Sequence, residues 1–582
     1  MMNKLESKAL VLEQLSLIEN VRVLDGLENK KLGFLSEHEI WEINTEILIR
    51  SKIFPVVFHI SFQNHFPTEI PKIYLSPDTY EKVKYIPHVG TNRLVCTFDS
   101  AIVSTNVMDP FGIVIECLHR AKEIITDGLN KVNNNDFLIE FKAYWEEIYE
   151  NESHPRQLLS IINELKETDE PQLICLNSPF NSYRYILHKS DSLADQVKSI
   201  LPEYRIDFTE VSVFYLKTNP FNIPPFHYRN RDVFDLVKQY NADQIDDFKR
   251  FINRKAYPKL VICKKFINEK EYIFGWFHKP ISTTRKGFRP GSFTPFSMFS
   301  ELQANELVDR ISTDILTPER LERRTSGLLN QKHYSFSIAG LGSIGSNLLN
   351  LLNSFSFPEF HLVDDDFLRI ENIGRHFLGF SFVNKVKTLA LKNYLQAANP
   401  LQKVFTKEKS IIDVIEQNPD FINETDYLFV CIGKVNIDLW LCNALKYKTL
   451  QIPVFFIWVE PYLCGGHCLY LHPSNPDFEQ YFDEGFFIKN IIPKEIYKEG
   501  KIDFSLRETG CQTTYIPYSS NNVISFLSSL FPFICSIIDK GSMKSTSYTW
   551  RGNLVKLEEL SIYNSDLINM TENNRIIETT IQ

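Results

Sequence analysis

Apolar positions along this chain alternate between two periods, and the switches mark out its organisation. The opening stretch MMNKLESKALVLEQLSLIEN has helical spacing with acids and glutamine set among its apolar residues, which predicts an amphipathic helix rather than a secretory core. Ile40–Ile49 and Val56–Phe62 change to period two and predict strands with a polar face. Phe66-Pro67 and Ile70-Pro71 frame a turn, Lys72–Leu75 is another strand, and Leu94-Val95-Cys96 follows a long irregular loop. Helical spacing returns in Phe111–Ile125 and Phe137–Tyr149 and closes a first α+β domain, residues 1–150. From 151 to 318, short strands (Gln172–Leu176, Tyr185–His188, Val211–Leu216, Leu260–Cys263, Tyr272–Phe277) alternate with helical stretches such as Asp232–Tyr240. These predict a middle α/β domain that carries no site motif. Ser282–Pro295 has the glycine and proline punctuation of a loop or connection.

The last third, residues 319–582, contains the most informative segment, Tyr334 to Arg375. An apolar strand (Phe336, Ile338) runs into Gly340, Gly342 and Gly345, a spacing that turns the backbone tightly and brings it near a phosphate at the start of a helix, here Ser346–Ser354. A second strand, Phe360–Val363, ends in Asp364, Asp365 and Asp366. Asp364 lies 19 residues beyond Gly345, where an acid reaches a ribose hydroxyl. A nucleotide site follows, and at this point a dehydrogenase fits as well as an enzyme that consumes ATP.

Asn372, Arg375 and Lys387 separate the two, because they put a polar and two cationic groups close to the ribose position. Hydride transfer has no use for them. Activating a carboxylate with ATP does, since attack on the α-phosphate concentrates negative charge that Arg and Lys neutralise while Mg2+ holds the departing pyrophosphate. The ordered series GLGSIGS, DDD, NIGR, KVK and Asn399-Pro400 resembles the ubiquitin-activating, molybdopterin-synthase-activating and thiamin-biosynthesis (ThiF/MoeB-type) adenylating enzymes. The resemblance implies a Rossmann-like fold in which Asp364 holds the ribose, Asp366 shapes the site, and Asn372, Arg375 and Lys387 contact the phosphates. It also implies a homodimer in which Arg323 or Arg324 reaches the neighbouring subunit's ATP. One position departs from the family pattern: after Tyr427–Cys431 the chain reads Ile432-Gly433-Lys434 where an aspartate would hold the metal, and Asp438 stands a turn further on.

A reactive thiol belongs on an accessible polar segment, whereas a cysteine within an apolar run is core. Cys117, Cys175, Cys263, Cys431, Cys442 and Cys535 are flanked by aliphatic or aromatic residues and are expected to pack. Cys464 and Cys468 bracket His467 without a second metal-binding pair and are expected to be structural. Cys511 differs: it lies in RETGCQTTYIPYSSNN, after a polar stretch (Asp477–Arg507) able to cross over the nucleotide and just ahead of the helix Asn521–Leu530. A thiolate there, stabilised by that helix and Arg507, can take the acyl group from an adenylate, and thioester-forming activating enzymes, which this region resembles, keep their cysteine in such a crossover loop. Cys96, in HVGTNRLVCTFDS, is the second candidate. The helix, strand meander, proline loop and cysteine order of residues 1–150, with Tyr144-Trp145 near its end, resembles a ubiquitin-conjugating domain. His88 stands eight residues ahead of Cys96, but Val89 and Gly90 replace the usual Pro and Asn.

Composition narrows the partners. The 582 residues carry a net charge of −9 with no like-charge run, so nucleic acid is not an expected partner. Ten scattered cysteines suit a reducing cytoplasm, and no stretch of roughly 18 apolar residues marks a membrane span. Taken together the three parts resemble fused bacterial ubiquitin-transfer-like proteins of cyclic-oligonucleotide antiphage signalling (CBASS) operons. The resemblance implies an ATP-dependent relay in which the terminal carboxylate of a partner, a cGAS-like nucleotidyltransferase, is adenylated, passes to Cys511 and then Cys96, and ends on a protein or small-molecule amine. The alternatives are an adenylating enzyme for a small carboxylate or sulfur-carrier protein without conjugation, and an inactive nucleotide-binding scaffold.

Overall fold

A computed structural model describes residues 4–582 except 36–38, 63, 100–101, 148–154, 163, 181–182, 190–207, 220–227, 255–257, 268–269, 326–331, 477, 501, 508–513, 563–575 and 581–582. The chain divides into two compact units, one of Met1–Ala194 and Arg205–Leu316, the other chiefly Thr317–Gln582.

The first unit holds two sheets. Five antiparallel strands, Asn20–Val23, Ile40–Ile49, Lys52–Ser61, Lys72–Leu75 and Leu94–Val95, pair in chain order. The long central hairpin closes through Arg50 and Ser51, both at positive φ (46° and 64°), the geometry that matches the twist of the flanking strands. Its apolar face (Trp41, Ile43, Phe58, Ile60) packs under two helices: Lys4–Leu15, through Val11 and Leu15, and Pro110–Asn130, through Val114, Leu118, Ala121 and Ile125. The second helix starts where Asp109 accepts from Gly112 N–H at 2.8 Å with Pro110 in its first turn, and it ends at Lys131 in the left-handed region.

The other sheet of this unit has eight strands, in the order Phe214–Leu216, Lys259–Ile267, Lys270–His278, Asp309–Ile315, Arg156–Ser160, Tyr183–His188, Gln172–Phe180 and Phe208–Ser212. Two of them, Arg156–Ser160 and Asp309–Ile315, pair in parallel across some 150 residues of chain and were not among the expected strands. The sequence reading took Phe137–Tyr149 as one helix. It is two short ones, Asp136–Ile139 and Phe141–Glu146, and the second packs on the eight-stranded sheet. Phe141 meets Phe274 edge-on at 4.7 Å, and the Trp145 indole N–H donates to the Ile311 carbonyl at 2.6 Å.

In the second unit, strands Val404–Lys407, Glu359–Val363, Ser335–Ala339, Tyr427–Val430 and Val454–Val459 run parallel in that spatial order. Gly465–Leu471, Thr546–Arg551 and Ile576–Thr580 extend the sheet antiparallel. Strand order reverses between Ser335–Ala339 and Tyr427–Val430, and ligands of open α/β sheets bind at the carboxyl ends of strands at such a reversal. Helix Ser343–Leu352, begun three residues earlier than the sequence suggested, packs against the long helix Ser520–Lys540. That long helix corrects the expectation of no span-length apolar segment: its 21 residues reach a mean hydropathy of 1.6 over an 18-residue window. Its apolarity is explained by packing, because Val523, Phe526, Leu527, Leu530, Ile534 and Ile538 are buried in the core of this unit.

Candidate active site

The glycine loop is built by two glycines that must lack a side chain and one that leaves room. Gly340 has φ +87°, and a Cβ there would lie 2.9 Å from the Cys431 carbonyl; a Cβ on Gly345 would lie 1.9 Å from the Gly340 oxygen, so the helix can close onto the loop only as glycine. A Cβ on Gly342 would meet nothing within 4 Å, and its backbone faces the open side.

Leu341, between them, is held at both ends of its peptide group. Its N–H donates to Asp364 Oδ2 at 2.5 Å, and its carbonyl accepts from His376 Nε2 at 2.9 Å. His376 Nδ1 in turn accepts from Leu378 N–H at 2.9 Å, so the ring is the neutral Nε2–H tautomer, and burial holds its pKa down to about 4. The first turn of helix Ser343–Leu352 fixes the same neighbourhood. Ser343 Oγ and Asn347 Nδ2 donate to the Arg375 carbonyl at 3.0 and 3.1 Å, and Ser346 Oγ accepts from Phe377 N–H. The sequence reading missed His376. Its one signal was its place directly after Arg375.

A cavity of about 290 Å³ opens beside this loop, lined by Gly342, Ser343, Asn372, Arg375, Ile432, Gly433 and Tyr518 among others. The structure thus brings Gly342, Asn372 and Arg375 together. The Arg375 guanidinium lies 5.0 Å above the Tyr518 ring and has no carboxylate partner among the described residues. The remaining expected residues stand outside the lining of this cavity. Gly340 and Gly345 shape the loop. Asp364 spends one oxygen on Leu341 and the other on Asp366 N–H at 2.9 Å, and burial raises its carboxyl above the usual range. Lys387, buried, forms an ion pair with Asp366 at 2.7 Å; burial alone would raise the Asp366 carboxyl, but Lys387 and the Phe367 N–H outweigh it and hold it low. Arg323 and Arg324 lie on helix Pro318–Thr325, one half-buried and one exposed, and neither lines the cavity.

Gly433, at φ +68°, offers no side chain to a metal. Asp438, in the first turn of helix Val435–Lys446, has its carboxyl pushed up to about 7 by burial and no hydrogen-bond partner among the described residues. It lines a second cavity of about 430 Å³ that shares Gly433, Trp458, Val459, Glu460 and Pro461 with the first. Protein sites for Mg2+ on a nucleotide use one or two carboxylates beside the phosphates; Asp438 is the candidate carboxylate, but it lines the second cavity and not the first, and no cluster of three metal-ligating side chains occurs among the described residues. Glu460 is committed elsewhere: it takes His467 Nε2 (2.8 Å) and Ile491 N–H (2.6 Å) on one oxygen and Ile492 N–H (2.8 Å) on the other. Cys464 and Cys468, on either side of His467, are fully buried with thiols pushed far up by burial, as expected of packing residues.

Cys511 and the Arg507 side chain lie outside the described residues. Among the described cysteines Cys96 alone is exposed; Cys117, Cys263 and Cys442 are buried, and Cys175, Cys431 and Cys535 partly so. The Cys96 N–H donates to the carbonyl of His88, which is in the left-handed region (φ +64°). His88 is pinned by Asp136 at 3.0 Å and Glu140 at 3.5 Å, and its N–H donates to the Tyr144 hydroxyl oxygen at 2.8 Å. Partial burial, then Glu140 and Asp99, hold the Cys96 thiol above its usual pKa.

The ThiF family model matches residues 321–490, and the model of prokaryotic E2 family B matches residues 35–153. The chain joins an E2-type domain to a ThiF-type domain. Its fold is accordingly mixed α/β, with the E2-type part ahead of a Rossmann-like ThiF part. The chain is 21% identical over 418 residues to the ATP-dependent ubiquitin transferase-like protein Cap2 of Pseudomonas aeruginosa strain BWHPSA011 / Pa011, a match covering 67% of this chain and 69% of that protein. Among solved structures it is similar to PaaA (14% identity, 43% of this chain and 64% of that one, TM-score 0.29). It is also similar to MccB of E. coli solved with succinimide (15%, 42% and 63%, TM-score 0.28). The chain therefore spans just under two thirds of those two proteins.

Proposed function

We propose that the chain is an ATP-dependent protein-conjugating enzyme. The observation that carries this reading is the cavity in which an open glycine backbone, Asn372 and a guanidinium without a carboxylate partner converge. Backbone N–H groups and a free guanidinium suit a phosphate. Asp364 fits the ribose role as well, because each carboxylate oxygen that accepts a backbone N–H keeps a second lone pair for a hydroxyl. Lys387 and Asp366, paired beside the loop, hold its acidic tip in place.

In the reaction, a partner protein's terminal carboxylate oxygen attacks the α-phosphorus of ATP and expels pyrophosphate, and Arg375 balances the charge that builds there. When Mg2+ is bound, Asp438 would hold it, and it supplies neutralisation of the leaving pyrophosphate. The Cys511 thiolate then attacks the acyl carbon and releases AMP. Cys96 attacks that thioester and frees Cys511, and an amine attacks the Cys96 thioester to give an amide and a free thiol. An exposed thiol on the E2-type domain supports Cys96 as the second carrier. By the same reading the carried protein is a cGAS-like nucleotidyltransferase of an antiphage signalling operon, and the chain works in the cytoplasm as a homodimer with Arg323 or Arg324 serving the partner subunit's nucleotide. Pyrophosphate exchange dependent on a candidate partner, together with partner adducts on the two cysteines that thiols cleave, tests the proposal. Exchange without any thiol-labile adduct would leave an adenylating enzyme that does not conjugate.

A further inference from the structure

The second cavity enters the chemistry just described only through Asp438, on its wall, and it shares five lining residues with the nucleotide cavity. Its walls are preformed. Trp458 meets Phe487 edge-on at 5.0 Å, Phe487 packs against Phe482 at 5.8 Å, and Phe456 and Leu439 complete an apolar lining. Lys494 ties down the Phe482–Phe487 hairpin through Asp483 and Glu484, and the Glu460 carboxylate fixes the chain that follows at Ile491 and Ile492.

We infer that this cavity receives a bulky apolar side chain from the last two residues of the protein whose carboxylate is adenylated. The inference rests on the adenylating reading above and adds its substrate class. A carboxylate placed for attack on the α-phosphate in the first cavity carries its own side chain only two bonds away, so that side chain or the preceding one must occupy adjoining space. The adjoining space is this cavity, and about 430 Å³ lies within the usual range for an apolar ligand pocket. A terminus of two glycines would leave its rings against water. Differences of one apolar group in such a pocket are worth roughly 10- to 200-fold in selection.

The test uses the full chain and synthetic ten-residue peptides that vary only in their last two positions: Leu or Phe, Gly, and Asp. Nucleotide affinity is measured alongside with a fluorescent ATP analogue, and activation by pyrophosphate exchange. The expected result is that peptides with a terminal or penultimate Leu or Phe exceed the Gly-Gly peptide at least about tenfold in kcat/KM. Leu439→Trp, which fills the cavity, should erase that preference while leaving nucleotide affinity and melting temperature unchanged; Leu439→Phe serves as the milder variant should tryptophan unfold the domain. Equal exchange by all termini overturns the inference and leaves the adenylating reading intact, as does exchange confined to Gly or Asp termini. Nucleotide binding with no exchange by any peptide also overturns it. No nucleotide binding removes the adenylating reading itself.

Discussion

Replacing His376 by leucine isolates the grip on Leu341. The ring is buried, and its two nitrogens satisfy the Leu341 carbonyl and the Leu378 N–H, both on residues that are themselves buried. Leucine fills comparable space without either bond, leaving two backbone groups unpaired away from water at about 1–3 kcal/mol each, or roughly 2–6 kcal/mol together. That is a large share of the 5–15 kcal/mol by which a typical domain is stable. The loss falls on the loop that faces the nucleotide, so affinity should drop by at least about tenfold, equivalent to 1.4 kcal/mol. A pH signature accompanies it. The ring titrates near 4 when folded and near 6.5 when unfolded, so between those values the unfolded chain binds the proton and folding is penalised as pH falls. The stability the neutral ring contributes is complete above about 6.5 and is lost toward 4, amounting to about 3 kcal/mol. Urea denaturation at pH 7.5, 6 and 5, with fluorescent-nucleotide titration at each, measures both effects. A leucine variant that melts with the wild type, binds nucleotide equally and keeps the same pH slope would refute the grip.

Arg375→Ala should reduce pyrophosphate exchange about 10²–10³-fold, the scale for removing one group that stabilises developing charge, with a smaller loss in nucleotide affinity; equal losses in both would make Arg375 a binding residue only. Cys511→Ala should abolish thiol-labile adducts on both cysteines on non-reducing gels, and a variant that still charges Cys96 would break the proposed order. Asp438→Asn should leave metal-free ATP binding unchanged and remove the gain in affinity on adding Mg2+, read by calorimetry; an undiminished gain would place the metal elsewhere.

The glycine loop was legible because its information is local: three glycines and an acid 19 residues on determine a turn, a helix start and the end of the next strand. The parts missed depend on contacts distant in sequence. His376 reaches Leu341 across 35 residues, and nothing in the period of NIGRH marks its ring as a buttress. Phe141 and Trp145 read correctly as helical, but period alone cannot say that the ring beneath them is Phe274, far along the chain in another sheet. Lys387 pairs with Asp366 across 21 residues, a contact that its sequence position does not announce.

Glu460 is a shared post. One carboxylate stands in the wall of both cavities and also carries the backbone of Ile491 and Ile492, the root of the segment that leads toward Cys511. A change that shifts this root moves the wall of both chambers at once. If the chain adenylates a carried terminus as proposed, specificity for that terminus and the chemistry performed on it are not independently adjustable, and a variant lineage that retunes one will show compensating changes around Glu460.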